Sequence, residues 1–133
     1  MRTWTAAAAI LAAAACGLAA RALVAQDEGG APGPEAKAAE DAALKLGGRV
    51  YADTALGTND RSCSTCHSNP KRPDLTLKGV TDRFPRYDKN ARKVISLQEK
   101  FMQMQERSLK TKKPLPLADE RWTALELYLR SQK

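Results

Sequence analysis

The middle of the chain reads Cys63-Ser64-Thr65-Cys66-His67, a C-x-x-C-H string with two thiols three positions apart. Thiols at this spacing can form thioether bonds to the two vinyl groups on one edge of a porphyrin, and the adjacent histidine can then ligate the iron. The chain has a single histidine, so a mechanism that needs two imidazoles is excluded. The string therefore predicts one covalently bound haem c, anchored by Cys63 and Cys66 and ligated by His67.

Other uses of the string agree less well with the rest of the sequence. A structural zinc site takes four Cys or His ligands, and the string supplies three. A thioredoxin-like redox pair requires a βαβ setting, which the pattern lacks, and a disulfide across two residues adds little stability. Only about a third of residues 26–133 are apolar, too few for a full core. A buried porphyrin would supply the missing apolar surface.

The first 25 residues predict export. Arg2 gives a positive start, residues 5–15 are uncharged and rich in alanine, and the first acid is Asp27. This is the plan of a secretory signal peptide over residues 1–25, cleaved after Ala22 or Ala25, and the run is too short for a good membrane span. The alternatives are a retained anchor and lipidation at Cys16. We expect a periplasmic location, or a membrane anchor facing the periplasm.

The rest of the chain is predicted to be mainly α-helical with long loops, as one domain over residues 37–133. Residues 26–36 hold three Gly and two Pro and predict a flexible leader. Apolar spacing predicts helices over residues 37–51 and 94–109. Asp119 is a candidate N-cap for a last helix. No segment shows the alternation of apolar and polar residues that is typical of a strand.

The iron needs a second axial ligand, and the soft candidates are Met102 and Met104. Residues two apart lie about 200° apart around a helix, so only one of the two can face the iron. Met104 shares its face with Val94, Leu97 and Phe101, the more apolar stripe, which favours Met104 over Met102. If neither methionine binds, the iron keeps an open or water-ligated position.

His67 also needs an acceptor on its other ring nitrogen, to fix the ring and tune the iron. A backbone carbonyl in the proline-rich stretch after the motif, near Pro70 or Pro73, is the predicted partner. Pro73-Asp74-Leu75 resembles the Pro-x-Leu segment of class I cytochromes c, and that resemblance implies this role for the Pro73 carbonyl. The alternative is that Pro73 only shapes a turn.

The charge is strongly asymmetric. Residues 26–60 carry a net charge of −4, whereas residues 61–133 carry +9. Arg83 or Arg86 is predicted to pair with the acidic haem propionates. The remaining cations could steer an acidic redox partner to the haem edge, or could only keep the protein soluble. Nucleic-acid binding is not expected of an exported protein.

The order of these features resembles a class I cytochrome c over about residues 38–133. A first helix precedes the attachment motif, a methionine follows late in the chain, and the last helix carries an aromatic pair. The resemblance implies a cytochrome c fold in which the N- and C-terminal helices cross and pack around the haem. The residues expected at that crossing are Gly47, Tyr51, Trp122, Tyr128 and Leu129, where a small residue lets helices approach closely.

A narrower similarity lies within residues 75–117. The segments concerned are Leu77-Lys78-Gly79-Val80, Phe84-Pro85-Arg86-Tyr87, Val94-Ile95-Ser96-Leu97, Glu106-Arg107-Ser108 and Lys113-Pro114-Leu115. They resemble the haem domains of thiosulfate dehydrogenases and of the SoxAX sulfur-oxidation cytochromes. In those enzymes a cysteine thiolate ligates the catalytic haem, three residues before an Arg-Ser pair. Here Arg107-Ser108 is present but the matching position holds Met104, which supports Met104 as a ligand and argues against catalysis.

Together these features predict an exported monohaem c-type cytochrome that carries single electrons between redox partner proteins and is not an enzyme. One alternative is an enzyme, or an enzyme subunit, that oxidises thiosulfate or a related sulfur compound. The other is a ligand-binding haem protein with an open distal site. Contact with a membrane is expected only if Cys16 is lipidated or the signal peptide is retained.

Overall fold

A computed structural model describes residues 32–132, and this part of the chain is mainly α-helical. The helices are α1 (Pro34–Ala52), α2 (Cys63–His67), α3 (Leu97–Arg107) and α4 (Glu120–Ser131), and a hairpin of β1 (Arg86–Asp88) and β2 (Lys93–Ile95) precedes α3. In the loops of this part of the chain lie three single-turn 3₁₀ helices, at Thr54–Leu56, Pro73–Leu75 and Thr81–Arg83. Within residues 32–132, no helix combines the length and the apolar character needed to cross a bilayer. The predicted signal peptide and Cys16 lie outside the described residues.

Helix α1 begins at Pro34, three residues before the predicted start, so the predicted leader over residues 26–36 extends too far. The Gly and Pro content of that stretch suggested a flexible segment. Proline is nevertheless favoured at the first position of a helix, where its missing N–H costs nothing and its fixed φ suits the helix. The first turn closes in the usual way, with Lys37 N donating to Gly33 O at 3.0 Å.

Helices α1 and α4 cross at Gly47, as the resemblance to class I cytochromes c implied. A Cβ atom on Gly47 would collide with the backbone oxygen of Ala124 and would lie 2.6 Å from Tyr128 Cβ. Glycine is therefore required at this point of closest approach. The rings of Tyr51 and Tyr128 pack beside it, with their centroids 5.5 Å apart. Trp122 differs from the expectation, because its ring packs on Phe101 of α3 with the centroids 5.7 Å apart.

The hairpin was not predicted, because no segment of the sequence shows an alternating strand pattern. Tyr87 pairs with Val94 across it, and the predicted helix over residues 94–109 is instead an α3 that begins at Leu97. Ser96 sets this start through a capping box: its Oγ accepts from Glu99 N at 3.1 Å, and Glu99 Oε2 accepts from Ser96 N at 2.8 Å. Each strand has three residues, too few to show an alternating pattern.

Asp88 holds the hairpin together. Its carboxylate accepts hydrogen bonds from Ala91 N and Asn90 N, both at 2.9 Å, and from Lys100 Nζ at 3.0 Å. These bonds, above all the one from Ala91 N, stabilise the charged form and lower the pKa of Asp88 from 3.8 to about 2. The hairpin is thereby tied to α3 through Lys100.

Candidate haem site

The attachment string forms the short helix α2, and Ser62 caps it. Thr65 Oγ1 accepts from Ser62 N at 3.0 Å, and Ser62 Oγ accepts from Thr65 N at 3.4 Å, which is a capping box. Residues three apart share one side of a helical turn, so Cys63 and Cys66 are presented on the same side. Both thiols are free and half-buried. One group seated against α2 can therefore meet both of them.

The environment of Cys63 does not suit redox or nucleophilic chemistry. Burial raises the pKa of its thiol to about 11, so the unreacted thiol stays protonated at neutral pH. Redox-active and nucleophilic cysteines depend on the opposite shift, which exposes a thiolate. This cysteine therefore lacks the property expected of a thioredoxin-like pair.

The ring of His67 is oriented by a backbone carbonyl. His67 Nδ1 lies 2.5 Å from Leu75 O, and because a carbonyl only accepts, Nδ1 must be the donor. Nε2 then carries the lone pair, the form in which imidazole binds a metal. The acceptor comes from the predicted stretch near Pro73, but it is Leu75 O and not the Pro73 carbonyl that the resemblance implied. The Pro73 carbonyl instead accepts from Thr76 N at 3.2 Å, within its 3₁₀ turn.

Helix α2 borders a cavity of about 560 Å³, a size that suits a small-molecule cofactor. Cys63, Cys66 and His67 all line it. Most of the wall is apolar and comes from α3, α4 and the loops before the hairpin. Its apolar lining includes Leu77, Val80, Phe84, Leu97, Phe101 and Leu125. A flat apolar group in this space would complete a core that the side chains leave open.

Of the two methionines on α3, Met104 lines the cavity and Met102 does not. Met102 packs against the hydrophobic core instead. Leu97 and Phe101 line the cavity together with Met104, as the helical-face argument requires. Val94, the third residue of that argument, belongs to β2 and is 62% exposed, so this part of the argument is wrong. Ligation of iron by Met104 stays a prediction.

A buried polar atom beside the cavity supports its fit to a haem. Trp122 Nε1 is buried and has no hydrogen-bond partner in the described part of the chain, and Trp122 lines the cavity. Buried polar atoms are almost always paired, and a haem propionate can accept from this indole N–H. Asn59 also lines the cavity, and its Oδ1 is likewise buried and unpartnered there, but this oxygen is an acceptor and an ionised propionate cannot pair with it. Asn59 was not among the predicted site residues, because it stands in a polar loop without any motif.

The loop before α2 is hydrogen-bonded to the end of α3. Gln105 Nε2 donates to Leu56 O at 2.8 Å, and Gln105 Oε1 accepts from Leu115 N at 2.8 Å. Asn59 Nδ2 donates to Ser108 O at 2.9 Å. These bonds fix the segment that carries the thiols and His67 relative to the segment that carries Met104. The side chain of Gln105 is buried, and its two hydrogen bonds connect the two sides of the site.

Cationic side chains surround the cavity. Both residues predicted to face the propionates, Arg83 and Arg86, line it. The guanidinium of Arg86 also lies over the ring of Phe84, 4.8 Å from its centroid, a cation–π arrangement that holds the side chain. Arg61 and Arg107 contribute to the lining as well. This distribution suits a cofactor that carries two carboxylates.

Comparison with known proteins gave one family. A family model described as "SoxA/TsdA, cytochrome c domain" matches residues 47–133. This span contains the two cysteines of the attachment string, His67 and Met104. Searches of curated proteins and of solved structures found no match.

Proposed function

Because this chain belongs to the SoxA/TsdA cytochrome c domain family, we propose that it is an exported single-electron carrier whose iron is ligated by His67 and Met104. The family establishes a cytochrome c fold and covalently bound haem c. The observation that carries the finer proposal is the shared cavity, which Met104 lines together with both thiols and His67 while Met102 faces the core.

Different residues of the chain have separate roles toward the haem of such a carrier. The haem supplies reversible one-electron chemistry when bound. Cys63 and Cys66 hold it covalently, and Leu75 O keeps the His67 ring in one orientation. Met104, which lines the cavity, would supply a second ligand to the iron and would leave no open position for a substrate. An axial pair of His and Met raises the reduction potential.

An optical experiment tests the ligation. Met104→Ala should remove the near-infrared sulfur–iron band of the oxidised protein, because the thioether is lost. Met102→Ala is the matched control on the same helix and should keep the band. Loss of the band in Met102→Ala, with retention in Met104→Ala, would show that the ligand assignment is wrong. Rapid binding of carbon monoxide by the reduced wild-type protein would show an open distal site and contradict the carrier proposal.

A second candidate function is oxidation of an anionic sulfur compound, since the family is linked to sulfur oxidation. The cationic lining of the cavity, with Arg61, Arg83 and Arg107 among it, favours this candidate. Met104 stands where the catalytic relatives carry a cysteine, which argues against it. The purified haem protein should therefore stay oxidised when mixed with thiosulfate. Thiosulfate-dependent reduction at a rate proportional to protein concentration would establish the enzyme instead.

The redox partner is proposed to be acidic. Residues 26–133, which remain after cleavage of the proposed signal peptide, carry a net charge of +5, and Arg86, Lys89 and Arg92 are exposed on or near the hairpin that borders the cavity. Salt screens such attraction. Oxidation of the reduced protein by anionic hexacyanoferrate(III) should therefore slow as ionic strength rises. Oxidation by a cationic cobalt(III) complex should accelerate, and equal salt dependence for the two reagents would contradict the proposal.

Export is proposed from the first 25 residues alone. Expression of the full gene in a bacterium that matures c-type cytochromes should give a red protein in the periplasmic fraction. Intact-mass measurement should show a chain that begins after residue 22 or residue 25. A lipid mass on Cys16, or an uncleaved chain in the membrane fraction, would favour the anchored alternatives.

A further inference from the structure

The side chain of Ser108 lies against the sulfur of Met104. Ser108 Oγ donates a hydrogen bond to Met104 Sδ at 3.7 Å. Ser108 is the C-cap residue of α3, four positions after Met104, so helical geometry makes the two side chains neighbours. Both side chains also line the cavity. The hydroxyl is thus a polar group in direct contact with the proposed distal ligand.

The backbone of Ser108 is held from two directions. Its N–H donates to Met104 O at 2.8 Å, which closes the last turn of α3. Its carbonyl accepts from Asn59 Nδ2 at 2.9 Å, and Asn59 belongs to the loop that leads into the attachment helix. Ser108 is therefore fixed by both of the segments that frame the cavity. These two backbone hydrogen bonds position the hydroxyl of Ser108, although the residue itself is exposed.

We propose that Ser108 is a positioning residue for the distal thioether, which orients Met104 Sδ and raises the reduction potential. The inference rests on the proposed ligation by Met104. A thioether sulfur has two lone pairs, so one can accept from the hydroxyl while the other is available to iron. Hydrogen bonds to a sulfur ligand are among the ways in which a protein sets the potential of an iron centre. The positive end of the O–H dipole disfavours the oxidised, more positive state.

The expected effect is small but measurable. A thioether is a weak acceptor, so we take the lower end of the range for a hydrogen bond, about a twofold change in the ratio of reduced to oxidised protein. Tenfold corresponds to about 59 mV for a one-electron couple, so the shift is about 20 mV. Ser108→Ala should lower the midpoint potential by this amount, and Ser108→Thr, which keeps a hydroxyl, should restore most of it.

The measurement is spectroelectrochemical titration of the full-chain haem protein. Ser131→Ala is the matched control: Ser131 Oγ donates to Tyr128 O at 2.7 Å near the end of α4, and Ser131 does not line the cavity. A lower midpoint in Ser108→Ala, an unchanged one in Ser131→Ala and recovery in Ser108→Thr support the proposal. An unchanged midpoint in Ser108→Ala overturns it. A higher midpoint also overturns it, because the hydroxyl would then be competing with iron for the sulfur.

Failure of this inference can be told apart from failure of the ligation it assumes. If Met104→Ala keeps the near-infrared band, the ligand assignment fails and the role of Ser108 fails with it. If Met104→Ala removes the band but Ser108→Ala leaves both the band and the midpoint unchanged, only the role of Ser108 is refuted.

Discussion

Replacing Gly47 with alanine should destabilise the protein, although alanine is the better helix former. The added Cβ would lie 2.6 Å from Tyr128 Cβ and 2.7 Å from the carbonyl carbon of Ala124, and closer still to the Ala124 oxygen. Carbon atoms in contact normally lie about 3.5–4.0 Å apart, so α1 and α4 must separate by about 1 Å. The displaced contacts include Tyr51 against Tyr128.

The magnitude follows from two opposing terms. Overpacking of a close contact costs about 1–3 kcal/mol, and collision with backbone places Gly47→Ala near the upper end. The higher helix propensity of alanine relative to glycine stabilises the folded state by about 1 kcal/mol. The net loss in the free energy of unfolding is therefore about 2 kcal/mol. For a domain of this size that corresponds to a fall in Tm of about 8–16 °C.

Gly48→Ala is the matched control on the next residue of the same helix. The nearest atom to its added Cβ is Tyr128 Cε2 at 3.4 Å, which is ordinary contact, so only the helical preference remains. Gly48→Ala should raise Tm by a few degrees. The assay is thermal unfolding of both haem-loaded variants, followed by far-ultraviolet circular dichroism. If Gly47→Ala melts within about 2 °C of the wild type, α1 and α4 do not approach as closely as described, and the reasoning is refuted.

Two further predictions concern the haem anchor and the hairpin. Changing Cys63 and Cys66 together to alanine should abolish covalent haem, which is measured as haem retained after denaturation and acid–organic extraction; retained haem would refute the attachment. The free energy of unfolding should also fall at low pH, because folding lowers the pKa of Asp88 from 3.8 to about 2. The stabilisation by the charged carboxylate of Asp88 is fully present above about pH 4 and is lost as the pH falls towards 2. The denaturation midpoint of Asp88→Asn should depend less steeply on pH than that of the wild type in this window, and parallel profiles would contradict the assignment.

The attachment string was readable without a structure because its chemistry is local. Two thiols and an imidazole must meet one cofactor, and five consecutive residues supply them. The glycine at the crossing of α1 and α4 followed from the resemblance to class I cytochromes c. The family match over residues 47–133 confirms the predicted family.

The hairpin and the hydrogen-bond acceptor for His67 were not predicted correctly, because they depend on contacts that the local sequence pattern does not show. The hairpin was missed because its stability comes from Asp88 bonding to its own loop and to Lys100, not from an alternating pattern. The acceptor for His67 was misplaced by two residues, because which carbonyl of the stretch faces the ring depends on the 3₁₀ turn at Pro73–Leu75.

By itself, the sequence predicted the cofactor, its anchor and the family, because covalent attachment needs specific residue types at a fixed spacing along the chain. Only the tertiary structure decided which methionine and which polar side chains surround the cofactor's cavity. Met104, Asn59 and Trp122 reach it from three separate segments. Their meeting depends on how α3, α4 and the loop before α2 pack, and a linear pattern does not encode distances between segments so far apart in the chain.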